Sequence, residues 1–162
     1  MSSQNRMNAG AEYVLYRIWG ALQDENGIHA ESLLTCVGAL AGYSCQMYVR
    51  QCEATPGADP RKLALLTFDT GGSAKHHSGD ALMMPIVESS LSVWALVARA
   101  VHKLEKPLPD IQDIVSHVTQ TVGTSAFGIP RAPDGHRPHY SPIVYLKQIW
   151  PQVLPIAQRF CR

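Results

Sequence analysis

Charge is scarce in this sequence. Asp, Glu, Lys and Arg make up 17% of its 162 residues, against about 25% in an average domain. The charges present nearly cancel, to a formal net charge of +1, so no general attraction to nucleic acid is expected. There is no acidic or basic tail, and the composition is not that of a disordered chain. A shortage of charge favours extra buried surface, such as an oligomer interface provides.

Catalytic signatures are missing as well. The chain holds no G-x-x-x-x-G-K-[ST], no G-x-S-x-G and no H-E-x-x-H, which argues against P-loop, α/β-hydrolase and zincin chemistry. Gly71-Gly72 falls in an expected turn rather than between a strand and a helix, so a dinucleotide fold is not indicated either. None of the four cysteines, Cys36, Cys45, Cys52 and Cys161, forms a C-x-x-C pair, the spacing of zinc and redox sites. Cys45 and Cys52 share a helix face but stand about 10 Å apart along its axis, whereas a disulfide brings Cα atoms to about 5.5 Å. Buried free thiols in a reducing cytoplasm are the expectation. The first residues lack the apolar run and cleavage site of a signal peptide, and residues 1–8 are expected to form a flexible tail. No repeat of solenoid length is visible.

What the chain does have is an uncharged stretch of seventeen residues, Leu33 to Val49, with the spacing Gly38-x-x-x-Gly42. A membrane span needs about 20 predominantly apolar residues. This run is shorter and is interrupted by Thr35, Ser44 and Gln46. No span is therefore expected, and the segment reads as a core helix surrounded by neighbours. Each glycine costs a helix up to ~1 kcal/mol relative to alanine. That cost makes sense if another helix, from this chain or a second copy, crosses closely there.

The flanking pattern is helical. Val14, Leu15, Ile18, Trp19 and Leu22 recur at helical spacing over residues 9–23, and Asn26-Gly27 ends that helix. A second helix over 30–53 carries Glu31 at its start and Arg50 at its end, in accord with the helix dipole. The two together, residues 9–53, predict a helical hairpin. After a Pro/Gly loop, Leu63 to Asp69 reads as a strand, Gly71-Gly72 as a turn, and Ala74 to Ser78 as the returning strand. Asp80 is a candidate helix cap, followed by a short turn at 81–87. Further helices are expected over 90–104, over 109–122 and from Ser141-Pro142 onward, the last kinked by Pro151 and disturbed by Pro155. The fold class predicted is mainly α, a helical bundle with a small antiparallel β-hairpin (residues 63–78) inserted after the second helix. Residues 1–162 form one domain, with a helical region over 80–162.

Histidine supplies the best chemical material. His76 and His77 point to opposite faces of a strand, so only one of them could join Asp69 or Asp80 in an open His/carboxylate metal site. An exposed polar hairpin is the plainer reading. His102 and His117 sit near helix ends, where dipole and exposure explain them, and His29 precedes the uncharged helix, where it could cap the backbone or face a pocket, capping or simple exposure being the plainer reading. The segment Arg131 to Tyr140 combines Arg131, Arg137, His136, His139 and Tyr140, groups suited to a small anionic ligand. Ser73, Ser78 and the cysteines have no spacing that marks a nucleophile. No catalytic residue, metal ligand or cofactor is assigned. Residues 123–162 hold five basic residues and one acidic, too dilute a cluster for a nucleic-acid surface. The reading that follows is a soluble cytoplasmic, non-catalytic binding or interaction protein acting as a homo-oligomer, with a homodimer as the default. The alternative is a small metal-dependent hydrolase with its site near the hairpin.

Overall fold

A computed structural model describes residues 2–57, 66–69, 75–122 and 124–160, with backbone only at Ser3, 66–69 and 75–78. Among these residues are five helices longer than ten residues: α1 (Ser3–Leu22), α2 (Ala30–Glu53), α4 (Val93–Lys103), α5 (Ile111–Thr121) and α6 (Pro142–Phe160). A single-turn helix, α3 (Asp80–Met83), runs into a wider π-helical turn over Met84–Glu88.

Helix ends follow local chemistry. The Ser2 hydroxyl accepts the Asn5 N–H at 3.2 Å and starts α1, so the segment expected as a tail over 1–8 is helical from Ser3. Once such a cap absorbs the nucleation cost, each further residue adds a hydrogen bond. Between α1 and α2 the Asp24 carboxylate accepts the Asn26 N–H, and Asp24 and Gly27 exchange backbone bonds with Gly27 at φ 106°. Ser92, fully buried, caps α4 by accepting the Ala95 N–H and donates to the Val87 carbonyl. Asp110 caps α5.

The expected fold class needs correction. The described part of the chain is mostly helical, and a β-hairpin spanning 63–78 is not seen in it. Extended backbone is limited to Leu66–Asp69 and Lys75–Ser78, with Leu66 opposite Ser78 and Asp69 opposite Lys75. Residues 63–65 and the turn at 70–74 lie outside the described residues. Two four-residue segments paired only with each other cannot organise a fold, because an isolated strand pair is marginal in water. Among the described residues, the buried clusters come from helical segments.

The chain gathers into two compact units, one of residues 1–40 and 129–162, the other of residues 41–128. In the first, Ile18 of α1, Cys36 and Leu40 of α2, and Tyr145, Ile149 and Val153 of α6 form the buried core, with Val14, Leu22 and Leu33 packed against it. Leu15 and Trp19 of the expected α1 stripe are exposed instead. In the second unit the buried residues are Cys45, Val49 and Leu82, flanked by Ala81, Ile86 and Val93.

Two further expectations are corrected. Helix α6 runs unbroken through Pro151 and Pro155. Both prolines lie on its exposed side, one turn apart, while Tyr145, Ile149 and Val153 line the buried side. The carbonyls deprived of their N–H partners can then be hydrated, and the apolar contacts hold the helix together. The close crossing expected at Gly38 and Gly42 is not made by a described helix of this chain: no described neighbour lies within 4 Å of a Cβ built at either position. It occurs at Gly10, where an added Cβ would stand 2.8 Å from Phe160 Cβ. The neighbouring Tyr13 ring stacks on Phe160 with centroids 5.5 Å apart. Gly10→Ala should therefore destabilise the protein by about 1–3 kcal/mol through overpacking. Gly42→Ala should be neutral or stabilising by up to ~1 kcal/mol. Urea unfolding of the two variants tests this, and the reverse order would remove the assignment of the close packing to Gly10.

Candidate functional site

The N-terminus of α2 and the segment 129–141 meet in a polar cluster within the first unit. Ser32, only 3% exposed, is its hub. Its Oγ accepts the backbone N–H of His139 at 3.0 Å and lies 3.0 Å from His29 Nδ1. His29 Nε2 lies 3.3 Å from Glu31 Oε2, and His136 Nδ1 lies 2.6 Å from Glu31 Oε1. The rings of His29 and His139 stack with centroids 4.3 Å apart and planes inclined by 17°. One carboxylate thus ties together two imidazoles, and one hydroxyl ties α2 to the loop.

The bond from His136 is the main reason the Glu31 carboxyl is held below its ordinary value. Its own backbone N–H and the nearby charge of His29 and His136 act in the same direction, and partial desolvation opposes them. Tyr140 is anchored too. Its N–H donates to Tyr145 Oη at 3.3 Å, and the two rings meet edge to face at 5.8 Å. Arg137 pairs with Asp134 at 3.1 Å on the open surface. Beside these groups lies a cleft of about 450 Å³ lined by residues 129–132 and 137–141.

Sequence reasoning had selected His136, His139, Arg131, Arg137 and Tyr140, and the structure places all five along this loop. His29, expected to cap the backbone, stand exposed or face a pocket, belongs to the cluster, and Glu31 and Ser32 join it without any local sequence signal. The bonds from Glu31 to His136 and from Ser32 to His139 span 105 and 107 positions, a separation that no local pattern signals. The alternative metal site falls mostly outside the described side chains. The side chains of Asp69, His76 and His77 lie outside the described ones, as does Ser73, and Asp80 is the exposed first residue of α3. Among the described residues no group of three or more His, Cys, Asp or Glu side chains could hold a metal ion.

Cys36, Cys45 and Cys52 are free. Burial pushes the Cys36 thiol up to about 11 and raises Cys45, the opposite of what a thiolate nucleophile needs. Cys52 is partly exposed and hydrogen-bonded to Tyr48. No family model matches the chain, and neither a curated protein nor a solved structure shows significant similarity to it.

Ser32→Ala should cost about 1–2 kcal/mol in urea unfolding, because it strips a partner from the His139 N–H and from His29. Glu31 has a depressed folded value, so its ionised form stabilises the fold above the ordinary carboxylate range and that stabilisation fades as pH falls through the folded value. Glu31→Gln should accordingly lower the melting temperature near neutral pH, with the gap to the parent protein closing in acid. A gap that does not depend on pH would show that the carboxylate does not hold the cluster.

Proposed function

We propose that this chain is a non-catalytic interaction protein that assembles with a second copy of itself through the apolar faces of α4 and α5. The observation that carries the reading is that both helices are strongly amphipathic and neither buries a single residue. Leu96 and Val97 of α4, with Leu104 just beyond it, and Ile114 and Val118 of α5 are exposed. Helices of this length owe their stability mainly to packing of the apolar face, and a monomer rarely leaves such faces open.

Charge complementarity favours a second copy as the occupant. Helix α4 ends in His102 and Lys103, and α5 begins after Asp110 with Asp113 in its first turn. Antiparallel docking of α4 on the α5 of a two-fold partner sets the basic end beside the acidic one, and symmetry makes the contact twice. Nearby, Met84, Leu91, Tyr48 and Cys45 line an apolar cleft of about 510 Å³ in the same unit, which gives a partner's side chain somewhere to insert.

Lipid is the competing occupant. By length and composition, Asp80–Lys103 could cross a membrane, and 11% of its apolar window is buried. Its backbone speaks against that. A π-helical turn and a non-helical break at 89–92 interrupt it, and irregular backbone is not found exposed to lipid within the hydrocarbon region. Helix α5 shows the same exposed face but is eleven residues long, too short to span. The free thiols at Cys36, Cys45 and Cys52 support a reducing, cytoplasmic setting.

Light scattering coupled to size exclusion should give a dimer. Leu96→Glu and Val118→Glu should each weaken association at least ~tenfold, about 1.4 kcal/mol, with circular dichroism unchanged. A strict monomer at high concentration would refute self-association, and co-flotation of that monomer with liposomes would reassign the face to lipid.

A further inference from the structure

We infer that the cleft walled by residues 129–141 binds a small organic anion that presents a carboxylate or phosphoryl group beside an apolar body. Its volume of about 450 Å³ falls in the range of small-molecule sites, roughly 300–1,000 Å³. The lining fits that ligand class. Arg131 and Arg137 bring two guanidiniums, whose planar fork matches carboxylate and phosphate oxygens, and His139 and Tyr140 bring rings with polar edges. Ile129 and Pro130 complete it with apolar surface.

The balance of charge is positive along this wall. Asp134 is the one carboxylate in residues 129–141, and it is spent on Arg137 in a pair whose side chains are 75% and 98% exposed. Such an exposed pair contributes only about 0–1 kcal/mol, so an anion held at the same time by Arg131 can displace it. Glu31, in the adjoining cluster, is already matched by His29 and His136.

The wall is also held in place before any ligand arrives. The His139 N–H is fixed by buried Ser32, its ring by stacking on His29, and the Tyr140 N–H by Tyr145. Ordering a binding loop in advance removes a cost that association would otherwise carry.

The test is isothermal titration and thermal shift on the full chain with inorganic phosphate, citrate and benzoate, each against sodium chloride at matched ionic strength. A saturable stabilisation beyond that of chloride is expected with phosphate or with a carboxylate, and which of them acts distinguishes the two ligand groups. Arg131→Gln and Arg137→Gln should each weaken binding at least ~tenfold, while Arg159→Gln should leave it unchanged. Asp134→Asn should tighten binding, which keeps the test independent of any folding defect in the arginine variants. No effect beyond chloride with any probe, binding that survives the double arginine replacement, or weakened binding in Asp134→Asn would each overturn the site. The measurement works equally on the Leu96→Glu variant, so failure here and failure of self-association are distinguishable.

Discussion

A buried hydroxyl has to be hydrogen-bonded, and in this protein that requirement joins two distant stretches of chain. Ser32 lies in the first turn of α2, where its own helix leaves backbone donors open, and it is 3% exposed. Its partners are His29, one turn back, and the backbone of His139. With the His139 N–H fixed, its ring lies flat on that of His29. With Nδ1 of His29 against the Ser32 hydroxyl, Nε2 faces Glu31, whose other oxygen lies against His136. The geometry of the loop is therefore a chain of consequences from one satisfied hydroxyl. Removing it leaves the remaining contacts exposed and individually weak.

Among the described residues, six buried side chains form the core of the first unit and three that of the second. In the second unit, α4 and α5 carry well-formed apolar stripes of which no residue is fully buried. Such stripes are far more regular than solubility alone would select. The proposed interface would account for both the scarcity of charge in the sequence and the exposure of these faces. The proposed covering copy is the economical one, since a single self-complementary face satisfies both partners.

How much of this was legible beforehand follows from the range of each signal. The span of α2 and the turn before it were readable, because an uncharged run, a leading Glu31, a trailing Arg50 and Asn26-Gly27 are all local. The start of α1 was misread because Ser2 acts as a cap in a stretch whose composition suggests a tail. Gly38 and Gly42 advertise close packing, but spacing cannot say whether a neighbour is present, and the tight contact is at Gly10 against Phe160. Proline chemistry alone suggested a broken α6, whereas the placement of both prolines on its exposed side decides otherwise. The loop 131–140 stood out by its Arg and His content. That Glu31 and Ser32 complete it depends on tertiary packing across more than a hundred residues.

The order Ser32–His29–Glu31 bears a superficial likeness to a hydrolase relay: a hydroxyl, an imidazole and a carboxylate joined in sequence by hydrogen bonds. The likeness fails on access. A nucleophilic oxygen must reach a substrate carbonyl with a lone pair, and the Ser32 oxygen is 3% exposed, with one lone pair engaged by the His139 N–H. Moving that N–H away to admit a substrate would also free the loop that walls the cleft. The same hydrogen bonds that imitate a relay are the ones that close it off. Groups that are satisfied by one another, beside a cleft lined by Arg131 and Arg137, accord with the proposed recognition of a ligand. This is why the cluster is read as the support of a binding wall rather than as the wall's chemistry.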